Sequence, residues 1–212
     1  MDLEFWRERW AANQIGFHEG KPNTLLTKHF AALGLAPGAR VFLPLCGKTR
    51  DIHWLLAQGF QVVGAELSAL AVAQLFDELG VVPEITSAGE LKRYGAPGIV
   101  VFQGDIFALD AETLGPADAV YDRAALVALP KDMRARYAAH VTAIAKAAPQ
   151  LVITFVYDQS VMAGPPHSVD DDEVRALYGS AYDLDMRETA SVPGGLKGMT
   201  PADEHVWRLS RR

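Results

Sequence analysis

Four segments that contain glycine or charged residues follow apolar, strand-like stretches of the sequence. They are residues 45–47, Glu66, residues 104–106 and residues 122–123. The carboxyl ends of parallel strands meet at one edge of a sheet, where ligands bind, so these segments are predicted to lie together. Gly47 permits a tight turn, and Glu66, nineteen positions later, has the spacing of an acid that binds ribose hydroxyls. The pattern predicts a site for a nucleoside.

The same segments exclude two common phosphate-binding motifs. A Walker loop requires a glycine five positions before Gly47, where the chain has Phe42. A dinucleotide fingerprint requires Gly-x-Gly, and no two glycines in the chain are separated by a single residue. NAD and FAD are therefore disfavoured, whereas S-adenosylmethionine, a nucleoside cofactor without phosphate, fits the turn and the acid.

An alternation of strand-like and helical patterns positions these segments and is typical of an α/β fold with a parallel sheet. Strands are predicted at residues 40–45, 61–65, 99–103, 119–122 and 151–157. Helices are predicted at residues 48–58, from Ser68 to Gly80, between Pro130 and Pro149, and after a capping Ser168. Residues 182–192 and 204–211 alternate like antiparallel strands around the loop 193–198, which predicts a terminal hairpin and a mixed sheet.

The first 39 residues lie outside this alternation. Leu3, Trp6 and Trp10 share one helical face, and residues 25–33 predict a second helix. No linker or repeat separates a second domain. We therefore predict one domain of residues 1–212, in which a cap of residues 1–39 covers a Rossmann-like core of residues 40–212.

Composition narrows the function classes. The chain has 212 residues, half of them apolar, and a net charge of −6 without a basic patch, so no nucleic-acid partner is expected. No apolar run approaches the length of a membrane helix, and the charged start MDLEFWRERW does not resemble a secretory signal. Cys46 is the only cysteine and the histidines lack metal-ligand spacing. We expect a cytoplasmic monomer without a metal ion.

Several motifs, in a fixed order, resemble one protein family over nearly the whole chain. They are FWRERW, GFHEG, VFLPLCGKTRDIHWLLAQGFQVVGAELS, GDIF, AVYDRAALVALP, ITFVYDQ and GPPHSV. The sequence resembles the thiopurine S-methyltransferases, particularly the bacterial members. This resemblance implies a class I S-adenosylmethionine-dependent methyltransferase fold, a seven-stranded mixed sheet with helices on both faces and an N-terminal helical cap. It also implies methyl transfer to the sulfur of an aromatic or heterocyclic thiol.

The resemblance also assigns site residues. The implied cofactor contacts are Trp6, Trp10, Leu45, Glu66, Asp105, Ile106 and Arg123, with Asp105 and Ile106 beside the adenine. Arg123 is also the implied catalytic residue, because its charge would favour the thiolate form of the acceptor. Phe17 matches the aromatic contact of the family with its substrate. Two departures concern the acceptor: His167 stands where the family usually has an aromatic residue, and the loop 193–198 lacks an arginine.

Other interpretations of these residues remain open. The two cap tryptophans could serve core packing alone, Glu66 could be a solvated acid, and Arg123 could pair with Asp122 or Asp105. At the level of function, the alternatives are methylation of other soft nucleophiles, such as selenium or tellurium species, halide or simple thiols, and non-catalytic binding of S-adenosylmethionine. An NAD-dependent oxidoreductase is the third alternative.

Overall fold

The structure is a computed structural model that describes residues 3–15 and 19–212. The strands of the described residues are β1 (Arg40–Leu43), β2 (Gln61–Glu66), β3 (Glu84–Ala88), β4 (Leu91–Ala96), β5 (Ile99–Gln103), β6 (Ala119–Arg123), β7 (Gln150–Tyr157), β8 (Tyr182–Ser191) and β9 (Ala202–Arg211). The helices are α1 (Leu3–Ala11), α2 (Thr24–His29), α3 (Arg50–Ala57), α4 (Ala69–Leu79), α5 (Ala111–Leu114), α6 (Lys131–Ile144) and α7 (Asp171–Tyr178).

All strands belong to one mixed sheet in the order β3-β4-β5-β2-β1-β6-β7-β9-β8. Strands β5, β2, β1, β6 and β7 are parallel, whereas β4 and β9 pair antiparallel to β5 and β7. The chain completes the β2 side of β1, where it runs from β2 to the edge strand β3 and back to β5, and then crosses to the β6 side. The carboxyl end of β1 therefore lies at the switch point where open sheets bind ligands.

The sheet of the described residues has nine strands, so the predicted number of seven is wrong. The seven predicted strands are present, and the two that were not predicted form the hairpin β3–β4 on the edge beyond β5. Most side chains of β3 are exposed, so this segment lacks the alternation of buried and exposed positions that identifies a strand. The hairpin is distant from the carboxyl end of β1 in the strand order.

Local capping signals explain most helix boundaries. Ser68 accepts the Ala71 N–H at the start of α4, and Gly80 ends this helix in a left-handed conformation, as predicted. The prediction that Ser168 caps α7 is wrong. Asp170 caps α7 by accepting the Glu173 N–H. It is two positions closer to the first turn than Ser168, so its carboxylate can reach that donor.

Both faces of the sheet are buried. Val41 and Leu43 of β1 pack into a cluster with α2, α3 and α4, whereas Phe42 packs into a cluster with α6 and α7. Side chains alternate between the faces along a strand, so a strand covered on both sides is almost continuously apolar. In the described part of the chain, no helix combines the length and the apolar character that crossing a membrane requires.

Candidate active site

A cavity of about 680 Å³ opens beyond the carboxyl ends of the central parallel strands. One side, which we call the β1/β2 wall, comprises residues 45–49, Glu66 and Leu67. The opposite side, the Arg123 wall, comprises Arg123, Ala124, Ala128, Phe155 and Glu204. The cap contributes Trp6, Arg9, Trp10, Gln14 and Glu19, and two loops contribute Pro165, Pro166, Val192, Pro193, Gly195, Leu196 and Lys197.

The β1/β2 wall is a tight turn that is fixed by backbone hydrogen bonds. Leu45 and Gly47 have positive φ angles of 46° and 53°, so the chain reverses directly after β1. The Glu66 Oε2 atom accepts the Gly47 N–H at 2.8 Å, and its Oε1 atom accepts the Ser68 N–H at 2.7 Å. A Cβ on Gly47 would lie 3.1 Å from the Trp10 ring, so glycine also permits the cap to pack closely here.

Glu66 is a buried acid, which excludes its interpretation as a solvated strand-end residue. Its side chain lines the cavity although the residue is only 6% exposed. Burial raises the pKa of this carboxyl, and the N–H groups of Ser68, Gly47 and Leu67 oppose that rise. A carboxylate has about four acceptor sites, so the hydrogen bonds from Gly47 and Ser68 leave each oxygen able to accept a further donor. Glu66 therefore fits a ligand with neighbouring hydroxyl groups, such as a ribose.

The other predicted residues of this side have different positions. Asp105 accepts the Phe107 N–H at 3.0 Å, and Ile106 is buried in the core. They follow β5, whose next residue, Gly104, donates its N–H to the Glu66 carbonyl at 2.9 Å. Neither residue is among the described residues that line the cavity. Their assignment to an adenine thus stays a prediction, which the proximity of Gly104 to Glu66 supports.

Arg123 is the central cation of the opposite wall, and its partner is an acid of the cap. Its Nη2 atom forms an ion pair with the Glu19 carboxylate, and only 11% of its side chain is exposed. Burial by itself lowers the pKa of Arg123. The interactions with Tyr121, Glu19 and Asp51 raise this pKa by more than burial lowers it, so the net shift is upward. The guanidinium therefore keeps its charge in this buried position.

Asp122 and Asp105, which the sequence analysis considered as partners of Arg123, bind other groups in the structure. Asp122 accepts the Tyr137 O–H at 2.7 Å and the Leu126 N–H at 3.1 Å. It is fully buried, and burial raises its pKa to about 6. These bonds fix the turn after β6, where Ala124 has a φ of 68°. Asp122 therefore holds the backbone that carries Arg123 and does not pair with its guanidinium.

A second buried acid anchors the cap next to Arg123. Asp51 accepts the Asn23 N–H at 2.7 Å and the Tyr121 O–H at 2.9 Å. Burial is the main cause that raises its pKa. The Asn23 side chain in turn caps α2 by accepting the Leu25 N–H at 2.9 Å. The segment between Glu19 and α2 is thus tied to the core at the foot of the Arg123 wall.

The outcome for the remaining predicted residues is mixed. Trp6 and Trp10 line the cavity, so they have a position that core packing alone does not require. Phe17 lies outside the described residues. His167 is not among the described cavity-lining residues, but its neighbours Pro165 and Pro166 are. Among residues 3–15 and 19–212, no group of three or more His, Cys, Asp or Glu residues is arranged to hold a metal ion.

Several residues of the cavity were not predicted from the sequence. Glu19, Phe155, Lys197 and Glu204 line it, although they come from four separate segments. The loop that lacks an arginine places Lys197 at the cavity, where the ammonium donates to the Pro165 carbonyl at 2.7 Å. Burial, with a contribution from the charge of Arg9, lowers the pKa of Lys197. Only Glu204 had a usable signal, as an acid on the same face of a predicted strand as the apolar Val206.

Comparisons with known proteins give matches over the whole chain. A family model described as thiopurine S-methyltransferase (TPMT) matches residues 1–212. The thiopurine S-methyltransferase of Xanthobacter autotrophicus is 63% identical over 212 residues, which cover 100% of both chains. That of Gluconobacter oxydans is 49% identical over 206 residues, which cover 97% of this chain and 94% of the relative.

A solved structure is similar in fold at low sequence identity. It is the 1,6-didemethyltoxoflavin-N1-methyltransferase of Burkholderia thailandensis, with 1,6-didemethyltoxoflavin and S-adenosylhomocysteine bound. The TM-score is 0.66 at 16% identity, over 98% of this chain and 87% of that chain. The predicted fold class, a Rossmann-like methyltransferase sheet, is thereby confirmed.

Proposed function

Because the chain belongs to the thiopurine S-methyltransferase family, we propose that it transfers a methyl group from S-adenosylmethionine to the sulfur of an aromatic or heterocyclic thiol. The observation that carries this proposal is that the buried acid Glu66 and the largely buried cation Arg123 line the same cavity, at the ends of strands on either side of β1. One wall fits the ribose of the cofactor and the other fits an anionic sulfur. Family membership does not favour the oxidoreductase, the other soft nucleophiles or non-catalytic binding.

The β1/β2 wall would bind the cofactor. Glu66 would accept the ribose hydroxyls with its remaining acceptor sites, and Leu45 and Gly47 would bring the backbone close to the ligand. Trp6 and Trp10 line the cavity, and their aromatic rings would favour a cation such as a sulfonium. S-adenosylmethionine supplies an electrophilic methyl carbon when it is bound. We assign Asp105 and Ile106 to the adenine on the family resemblance.

The Arg123 wall would bind the acceptor. The charged guanidinium would stabilise the thiolate, which is the more nucleophilic form of the acceptor sulfur. The cap, held by Glu19 and Asn23, would exclude water and align the two reactants. Such alignment is the main requirement of a direct displacement, so no dedicated base on the sulfur is required. Phe17 remains the proposed aromatic contact of the acceptor.

The remaining proposals concern the organisation of the chain. We propose that residues 1–212 act as one methyltransferase domain, in which the cap of residues 1–39 closes over the core of residues 40–212. The partner is a small-molecule thiol, and we also propose the cytoplasmic location and the monomeric state that were expected from the sequence.

The test is transfer of an isotope-labelled methyl group from S-adenosylmethionine to 6-mercaptopurine by the purified protein. Glu66→Ala should weaken cofactor binding by about 1–3 kcal/mol, because it leaves buried hydrogen-bond partners unpaired. Glu84→Ala is the matched control, since Glu84 is an exposed acid of the edge strand β3. Calorimetric binding of the cofactor without transfer to any aromatic thiol would contradict the proposed reaction.

A further inference from the structure

Glu204 lines the cavity, but the methyl transfer described above assigns no role to its carboxylate. It lies on β9, directly opposite Phe155 of β7 in the register of the sheet. Residues opposite each other in an antiparallel pair extend to the same face, and both of these residues line the cavity. The Arg123 wall therefore combines a carboxylate, an aromatic ring and a guanidinium.

The acids around Arg123 differ in what they bind. Glu19 is paired with Arg123, and Asp51 is satisfied by Asn23 and Tyr121. Among the described residues, no donor forms a hydrogen bond with the Glu204 carboxylate. Burial raises the pKa of Glu204, the charge of Arg123 lowers it and the charge of Glu19 raises it, with a net upward shift. Glu204 is thus a partly desolvated carboxylate without a hydrogen-bond donor in the described part of the chain, on a residue that lines the cavity.

A particular class of thiol matches a cation and a carboxylate on one wall. When the ring carbon that carries sulfur is bonded to a ring nitrogen, the compound forms a thione with an N–H group next to the sulfur. Formation of the neutral S-methyl heterocycle requires that the N–H proton be lost. A cation near the sulfur and a carboxylate near the nitrogen are complementary to this pair of atoms.

We propose that Glu204 accepts the ring N–H of nitrogen-heterocyclic thiones and thereby makes them the preferred acceptors; this inference rests on the proposed function. The sulfur forms a bond to the methyl carbon as the bond from that carbon to the sulfonium breaks, and the sulfonium sulfur keeps the electron pair. The N–H proton passes to the Glu204 carboxylate and then to solvent. The products are the S-methyl heterocycle and S-adenosylhomocysteine.

The test compares two acceptors with the full chain and two variants. 2-Mercaptopyridine has the ring N–H as its thione, whereas thiophenol has no ring nitrogen. Glu204→Gln should lower kcat/KM for 2-mercaptopyridine roughly 10- to 100-fold more than it lowers kcat/KM for thiophenol. Asp203→Asn is the matched control, because Asp203 is the adjacent acid of β9 and its carboxylate accepts the Ser191 O–H. This control should leave both acceptors unchanged.

A pH profile separates proton acceptance from a structural role. Above the pKa of 2-mercaptopyridine the acceptor is already an anion, so the deficit of Glu204→Gln should shrink there. Equal losses on both acceptors, or a deficit that is constant with pH, would overturn the role of Glu204. Activity on thiophenol confirms that the variant is folded. If the unsubstituted protein methylates neither acceptor although it binds S-adenosylmethionine, the proposed function itself fails.

Discussion

The two walls of the cavity are built in different ways. The β1/β2 wall comes from residues 45–67, which follow β1 and contain α3 and β2, and its acid is held by backbone N–H groups. The Arg123 wall comes from β6, β7 and β9, and its cation pairs with a cap residue 104 positions away. The first wall is therefore preformed by local structure. The second is complete only when β9 of the terminal hairpin is in place and the cap supplies the partner of its cation.

The layers behind the two walls also differ. Behind the β1/β2 wall, the Cys46 side chain packs against Gly64 of β2. Burial raises the pKa of the Cys46 thiol well above its ordinary value, so this layer stays neutral. Behind the Arg123 wall lie the buried acids Asp51 and Asp122 with their tyrosine partners. We therefore expect packing to control the stability of the first wall and protonation to affect the second.

Removal of the Arg123 charge should have the largest effect. Arg123→Ala leaves Glu19 and Glu204 without their counter-charge, and we expect methyl transfer to fall on the order of 100-fold. The loss should be greatest at low pH, where the thiolate is scarce and depends most on the cation. The measurement is kcat/KM for 6-mercaptopurine as a function of pH.

Arg123→Lys is the matched variant for this prediction. It keeps the positive charge but loses the planar guanidinium, so it should recover part of the activity at low pH. A loss in Arg123→Ala that is uniform across the pH range would place the role of this residue in cofactor positioning. Both walls would then bind the cofactor, which would contradict the assignment of the Arg123 wall to the acceptor.

Asp122 should make stability depend on pH. Its pKa is about 6 in the folded chain, against an ordinary value of 3.8, which corresponds to about 3 kcal/mol. The folded state binds more protons in this interval, so the free energy of unfolding falls as the pH rises through it. The stabilising contribution of Asp122 is fully present below its ordinary pKa of 3.8, which applies to the unfolded chain, and it is lost above about pH 6. Asp122→Asn should remove this dependence.

The measurement is the free energy of unfolding in urea at several pH values, for the unsubstituted chain and for Asp122→Asn. All other groups titrate in both proteins, so the difference between the two curves reports on Asp122. A difference that stays constant with pH would mean that this carboxyl is not buried in its protonated form. Protonation would then affect the layer behind the Arg123 wall no more than the layer behind the other wall.

Gly64→Ala tests the packing behind the β1/β2 wall and should have the smallest effect. The added Cβ would lie 2.8 Å from the Cys46 Sγ atom and 3.4 Å from Val101. We expect the free energy of unfolding to fall by about 1–3 kcal/mol, independently of pH. The double variant with Cys46→Ala should recover most of this loss, because the clashing atom is gone. Gly20→Ala is the control, since nothing lies within 4 Å of its new Cβ.

The comparison also shows which parts of the site were predictable. Glu66 and Gly47 were found from their spacing, because the strand ends that carry them are joined by a single helix of ordinary length. The helix boundary at Gly80 was found for the same reason, since a positive φ is a local requirement. The hairpin β3–β4 was missed because most side chains of β3 are exposed and leave no hydrophobic pattern.

The sequence by itself determined the α/β order of the core, the turn after β1 and the family of the chain. These features depend on local propensities and short motifs, which act over one or two elements. Only the tertiary structure decided that Arg123 pairs with Glu19 and that Phe155 and Glu204 stand side by side on the same wall. The physical reason is that these contacts depend on the register of distant strands and on the position of the cap. No spacing along the chain encodes either of them.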